Sequence, residues 1–408
     1  MRSDFTTYLS KHAFTSKLID EVPQNDLGLV VVIPAHDEEE LITSLSSLQA
    51  CNKTQKALEV IVVFNASELS GQEVLELNQK SKRDLEEWYK LIQAPQFKLY
   101  CLEQNSLPRK HAGVGLARKI GMDEAVRRFQ QVQNEQGIIV CFDADSRCET
   151  NYLEEIEHHF NTYSQSGACS IHFEHPIDGN DFSSEIYRGI HYYELHLRYY
   201  KNGLNFAKLP YAFHTIGSSM AVNAIAYCKQ GGMNRRKAGE DFYFLQKFID
   251  IGTLTELKST KVIPSPRASH RVPFGTGRAI QEMIDQEREI EKSYSFECFK
   301  VIKECFSAVG NWFTQDANFH PMLIAFLGLE ELENRLDEIK RQSSSEDRFV
   351  KRFFQWFNAF KTLKFIHFLR DHYFKNGELE KEVVLLLDEL GVDSEGELLI
   401  ILREMDQS

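Results

Sequence analysis

The sequence predicts an α/β protein: a mostly parallel β-sheet flanked by helices over residues 1–280, then an all-helical domain over 281–408. Short, uninterrupted apolar runs alternate with helix-spaced stretches through the first part. These runs lack the in-and-out alternation of half-exposed strands, so they read as strands buried on both faces. Beyond about residue 279 such runs cease, and a single proline, Pro321, interrupts a long series of helix-forming residues.

Leu29–Ile33 (LVVVI) is the first strand, closed by Pro34. Glu38–Leu48 then sets Leu41, Ile42, Leu45 and Leu48 at helical spacing. Leu58–Phe64 (LEVIVVF) is the second strand, and a helix from about Gln72 to Ile92 separates it from a third at Phe97–Leu102. A helix near Val114–Gln130 leads into the fourth, Gly137–Phe142 (GIIVCF). Parallel strands joined by helices place a ligand crevice at their carboxyl ends. In the tail, 281–408, 16 Lys or Arg face 26 Asp or Glu, so this part carries −10 of the net −13. Within it, SSSED at 343–347 supplies a helix N-cap and first-turn acids.

Composition removes several function classes. With 47 basic against 60 acidic residues, broad binding to a phosphate backbone is disfavoured, and no nucleic-acid partner is expected. Eight cysteines stand singly without a CxxC pair, the pattern of reduced thiols in a cytoplasmic protein. The N-terminus lacks a signal-peptide apolar core, and no apolar stretch approaches the ~18 residues of a membrane-spanning helix.

Chemistry concentrates on acidic residues at strand and helix ends. Asp143 and Asp145 follow the fourth strand in Phe142-Asp143-Ala144-Asp145-Ser146. Two carboxylates one residue apart at a strand end form a hard-oxygen pair suited to Mg²⁺ or Mn²⁺, which in turn grips phosphate oxygens. An Asp-rich turn that simply ends a strand is the alternative. Pro34-Ala35-His36-Asp37-Glu38-Glu39 puts acids after the first strand, and Gly239-Glu240-Asp241 opens a helix carrying Phe242, Leu245, Phe248 and Ile249. Taken singly, both acidic groups also read as ordinary helix caps.

In this order and at these separations the segments resemble the GT-A glycosyltransferases, most closely those of the family 2 type, over residues 28–280. Residues 34–39 match the PxYNEE-like turn of that family, and Phe64-Asn65-Ala66-Ser67 its DDGS-like turn. Gly113–Gly121 (GVGLARKIG) matches the helix before the DxD strand, and Asp143 and Asp145 match the DxD itself. Gly217-Ser218-Ser219-Met220-Ala221-Val222 matches a glycine-rich acceptor-side segment, and Gly231-Gly232 through Gly239-Glu240-Asp241 the GED helix start. The sequence departs from the family at Asn65, where an Asp commonly recognises the base, and at His36-Asp37, which replace Tyr-Asn.

The resemblance implies transfer of a sugar from a nucleoside-diphosphate sugar to a carbohydrate or lipid-linked acceptor, with inversion and a divalent ion. By the same resemblance, Pro34, Ala35, Glu38, Asn65, Lys119, Asp143, Gly217 and Ser218 would line the donor site. Asp145 would hold the ion, Asp241 would be the catalytic base, and Glu240 would position a substrate. Many GT-A enzymes also bring a late histidine to the metal, and His270 is the candidate here. In that loop Arg267 and Arg271 are placed to neutralise a diphosphate, with Gly275 and Gly277 as pivots; a solvated basic linker is the other reading.

Other signals are weaker. His158-His159 and His172 with His175 lack a complete zinc set and read as structural. Tyr187–Glu194 reads either as an acceptor-lining run or as core tyrosines. At 348–375, Phe349, Phe353, Trp356, Phe360 and Leu363 fall on one helical face among basic residues. That pattern suits either peripheral membrane contact or burial in the C-terminal domain. A nucleotidyltransferase is the nearest rival reading, disfavoured by the acidic turn after the first strand. A silent sugar-nucleotide-binding or scaffolding protein is the rival from another class.

Overall fold

The computed structural model describes residues 4–237, 239–269, 275–285 and 289–408. It divides into two compact units, Met1–Ile190 with Thr215–Ile284 and Gln407, and His191–His214 with Asp285–Asp406 and Ser408. One long helix, α6 (Ser184–Phe206), begins in the first unit and ends in the second.

The first unit is built on a sheet of eight strands: β1 (Leu27–Ala35), β2 (Ala57–Ser67), β3 (Lys98–Leu107), β4 (Ile138–Cys141), β5 (Arg147–Cys148), β6 (Ala168–Phe173), β7 (Met220–Asn223) and β8 (Leu254–Ile263). Their spatial order is β3-β2-β1-β4-β7-β6-β8-β5. β3, β2, β1 and β4 run parallel, as do β6 and β8; β7 is antiparallel to both neighbours, and β5 is antiparallel to β8. This is the mostly parallel sheet flanked by helices, with a helical C-terminal region, that the sequence predicts. Every residue of β1 and β4 is buried, which is why their sequences show no alternation.

From β1 the chain goes to β2 and β3 on one side and reaches β4 on the other. β1 and β4 are therefore neighbours at the point where the winding direction reverses, the place where sheets of this kind bind ligands beyond the carboxyl ends of their strands. Val32 pairs with Cys141, and the Phe142 amide donates to the Val32 carbonyl at 3.1 Å, carrying the ladder up to Asp143.

Helices α1 (Asp4–His12), α2 (Leu41–Gln49), α3 (Gln72–Leu91), α4 (Val114–Gln131), α5 (Tyr152–Thr162), the start of α6, α7 (Ala224–Lys229), α8 (Glu240–Ile251) and α9 (Thr276–Ile284) belong to this unit. α4 is buried on nearly every side even though it carries many charges. Several of its charges are satisfied by an N-terminal segment laid over it and others by the sheet. Glu124 accepts the backbone amides of Leu18 and Ile19 at 3.2 and 3.1 Å, and Asp123 accepts the Tyr8 hydroxyl at 2.6 Å. Arg128 forks onto Glu59 at 2.8 and 2.6 Å. Unpaired, such groups would cost several kcal/mol each, roughly.

The second unit holds the end of α6 and α10 (Phe296–Phe306), α11 (Pro321–Leu327), α12 (Leu329–Arg341), α13 (Glu346–Trp356), α14 (Ala359–His372), α15 (Leu379–Leu390) and α16 (Leu398–Gln407). The serine cap expected before α13 is present: the Ser345 hydroxyl accepts the Arg348 amide. The stretch 348–375 is not one amphipathic helix, since Phe357 and Asn358 break it into α13 and α14. Phe349, Phe353, Phe357 and Phe365 are buried, packing with Phe306 and Trp312, whereas Phe360 is exposed. Of the face read from the sequence, Phe349 and Phe353 are buried, Trp356 and Leu363 half-buried and Phe360 exposed. Among the described residues no helix is long and apolar enough to cross a membrane.

Candidate active site

The turn after β1 is shaped by two asparagines. Asn65 on β2 donates its side-chain amide to the Ala35 carbonyl at 2.9 Å. Asn78 on α3 donates to the Asn65 carbonyl at 3.1 Å and accepts the Asp37 amide at 3.1 Å. That second bond holds Asp37 in the left-handed region, at φ 53°, which Asp tolerates better than most residues. The clamp turns Glu38 inward, where it is buried. Asn65 thus braces the turn through its side-chain nitrogen.

The acids at the ends of β1 and β4 and at the start of α8 meet around two guanidinium groups. Arg118 on α4 is 1 % exposed. Its Nη2 donates to Asp143 Oδ1 at 2.5 Å, and its Nη1 donates to Glu240 Oε1. Arg267, in the segment after β8, donates Nη1 to Glu38 Oε1 at 2.8 Å. Its Nη2 touches both Glu38 Oε2 and, at 2.8 Å, Asp145 Oδ2. Each guanidinium therefore joins carboxylates from two distant stretches of chain.

Two glycines make the first junction sterically possible. A Cβ on Gly217 would lie 2.9 Å from both Arg118 Nη atoms. A Cβ on Gly115 would run into the Arg236 carbonyl and sit 3.0 Å from the Glu240 Cβ, so α4 could not approach the start of α8. Gly239, in the left-handed region at φ 68°, starts that helix and brings Glu240 and Asp241 in at its first turn.

Electrostatics follow burial. Burial pushes the Glu240 carboxyl up, with Arg118 opposing and Asp241 adding to the rise. Burial likewise raises the Asp241 carboxyl, with Arg118 again opposing and Asp143 adding. Asp241 Oδ1 accepts the Phe242 amide at 2.7 Å, which fixes the side chain at the helix start. A half-buried carboxylate of raised proton affinity such as that of Asp241 has the character of a base able to take a hydroxyl proton.

Pro34 and Ala35 are buried at the end of β1, and Ser218 is buried beside Gly217. Lys119 is not at the junction: its ammonium bonds the Tyr8 hydroxyl at 2.8 Å and Asp123 at 3.1 Å, pinning the N-terminal segment. Adjacent residues on a helix point about 100° apart, so Arg118 reaches the carboxylates and Lys119 cannot. Arg118 is the residue that the sequence reading passed over; its only signal was a long cation in a helix otherwise flanked by Gly115, Ala117 and Gly121. His270 and Arg271 lie outside the described residues.

Among the described residues no group of three or more His, Cys, Asp and Glu is arranged to hold a metal. Glu38 and Asp145 nevertheless converge on one nitrogen of Arg267, so two hard oxygen donors already face one cationic group. This donor chemistry fits Mg²⁺ or Mn²⁺. In the same segments Arg118 Nε and the buried Ser146 and Ser219 hydroxyls have no partner among the described residues, so polar capacity is left for water or a ligand.

No family model and no curated protein matches this chain. Solved structures similar to it include S. aureus TarS 1–349 in complex with UDP-GlcNAc, at 13 % identity and a TM-score of 0.41, covering 81 % of this chain and 92 % of that one. Another is a mannosyltransferase, PcManGT from Pyrobaculum calidifontis, in complex with GDP-Man and Mn²⁺. It is 13 % identical with a TM-score of 0.36, covering 95 % of each chain.

Proposed function

We propose that the first unit is a glycosyltransferase that moves a sugar from a nucleoside-diphosphate sugar to an acceptor hydroxyl with inversion. The observation that carries this reading is the Arg118 junction, where Asp143 of the strand-end pair and Glu240 of the helix start share one buried cation. The elements that resemble family 2 glycosyltransferases in sequence thereby meet at the switch-point crevice. A cap or a surface turn would not require that meeting.

Asp241 takes the proton of the acceptor hydroxyl as its oxygen forms a bond to the anomeric carbon of the donor. The bond from that carbon to the diphosphate breaks, and its electron pair leaves with the nucleoside diphosphate. Glu240, anchored by Arg118, keeps the start of α8 and hence Asp241 in place. Arg267 is placed to accept the charge of the diphosphate. Asp145 with Glu38 would hold a divalent ion, which when bound supplies positive charge to the departing group. The free thiols support a reducing, cytoplasmic setting.

A panel of UDP-, GDP-, ADP- and TDP-sugars, with and without Mn²⁺, tests the proposal. Thermal stabilisation by one class, with release of its nucleoside diphosphate, is expected. Binding without turnover over a broad set of acceptors would favour the non-catalytic reading, and neither binding nor turnover would remove the function.

A further inference from the structure

Arg267 occupies an unusual position for a residue that is to receive a diphosphate. Its guanidinium is already engaged by both carboxylates, with one nitrogen touching Glu38 Oε2 and Asp145 Oδ2. A divalent ion binds carboxylate oxygens at about 2.0–2.6 Å. An ion on Asp145 Oδ2 and Glu38 Oε2 would therefore claim the same oxygens as that nitrogen. Cation and guanidinium would compete for them, and their like charges would repel at such a distance.

The backbone beside Arg267 is anchored while its side chain keeps some exposure. The Ser269 amide donates to the Gly277 carbonyl at 2.9 Å, and the Arg267 amide donates to the Ser265 hydroxyl at 3.4 Å. The Arg267 side chain is 22 % exposed. Reorienting it therefore requires side-chain torsions only.

We propose that Arg267 is an exchangeable counter-ion that competes with the divalent cation for Glu38 and Asp145. Without ligand it neutralises the two carboxylates. A cation displaces it, and the released guanidinium pairs with the donor diphosphate. Cation and diphosphate then favour each other's binding, because each removes part of the cost of moving the arginine. This rests on reading Glu38 and Asp145 as donor-site carboxylates.

The test is Mn²⁺ titration of the full-length chain, followed by calorimetry and by the electron paramagnetic resonance of free Mn²⁺, with and without inorganic pyrophosphate. In R267Q, Mn²⁺ alone should bind roughly 5- to 150-fold more tightly than in the wild type, the usual span of a coupling between sites. The gain in Mn²⁺ affinity from pyrophosphate should shrink in that variant. R267K, which keeps the charge and loses the fork, should fall between the two and serves if R267Q does not fold. D145N should abolish the tight site in either background. Equal Mn²⁺ affinity in wild type, R267K and R267Q would overturn the proposal, as would Mn²⁺ binding indifferent to D145N. If no variant binds Mn²⁺ while sugar transfer proceeds in a chelator, the counter-ion role fails and the transferase reading stands.

Discussion

Asp143 and Glu240 are held by the two terminal nitrogens of a single buried guanidinium, that of Arg118. One residue follows β4 at the start of its turn and the other begins α8, so the arginine ties the two halves of the proposed site together. Truncating it would leave the buried Glu240 carboxylate without its cation, next to the partly exposed Asp143.

Arg118→Ala should accordingly cost about 3–5 kcal/mol of stability, the usual result of breaking a buried ion pair from one side. Urea unfolding of the full chain measures it. Arg118→Lys should recover part of the stability and little activity, because an ammonium cannot bridge both acids in the same geometry. Wild-type stability in the alanine variant would contradict the burial and pairing described for Arg118.

Asp241→Asn should lower turnover by roughly 10²–10⁴-fold while leaving nucleotide affinity near normal, as loss of a general base does. Steady-state rates and calorimetry with the donor found in the panel separate the two effects. In the wild type the raised carboxyl must lose its proton to act. Hence kcat/KM should fall as pH drops through a value above the ordinary Asp range of about 4. That acid limb should be missing from the residual activity of the asparagine variant.

The second unit has its own pH signature. Asp406 is buried and accepts from Arg198 at 2.6 Å, from Lys201 at 2.9 Å and from His214 at 2.9 Å. Burial by itself would raise its carboxyl, but the His214 hydrogen bond and the charges around it outweigh burial and hold it far below the ordinary range. Between the folded and unfolded values only the unfolded chain binds the proton. The stability from Asp406 is therefore full above about pH 4 and lost as pH falls further. Asp406→Asn should be destabilised at neutral pH and show a flatter decline in urea midpoint between pH 5 and 2. An unchanged slope would place the acid sensitivity elsewhere.

Gly115→Ala should also be harmful although it adds one methyl group. The new Cβ meets the Arg236 carbonyl and must push α4 away from the start of α8. A loss of about 1–3 kcal/mol is expected from such overpacking, together with reduced activity through Glu240. Thermal unfolding and the transfer assay read the two effects.

Much of this molecule is legible in its sequence because the central strands are buried on both faces. LVVVI and GIIVCF have no polar position to conceal their nature and LEVIVVF has only Glu59, and their residues form β1, β2 and β4. The helices after them come from apolar spacing, so α3 and α4 fall within a residue or so of their expected ends. The later strands β6, β7 and β8 are harder to read: β7 is only four residues long, and β8 mixes buried with half-exposed positions.

The acids at 143, 145, 240 and 241 stand out in the sequence because charges at strand and helix ends break an apolar pattern. Their counter-ions do not stand out, since any lysine or arginine in a helix has the same local character. Only the packed chain decides that Arg118 faces the carboxylates while Lys119 holds Tyr8 and Asp123. Likewise only the packed chain commits Asn65 to the turn and Arg267 to Glu38 and Asp145. Local sequence governs which residues can be strand, helix or cap through short-range sterics and burial. Which charges meet depends on how distant segments close around a low-dielectric interior, where a charge must find its partner wherever the fold has placed one.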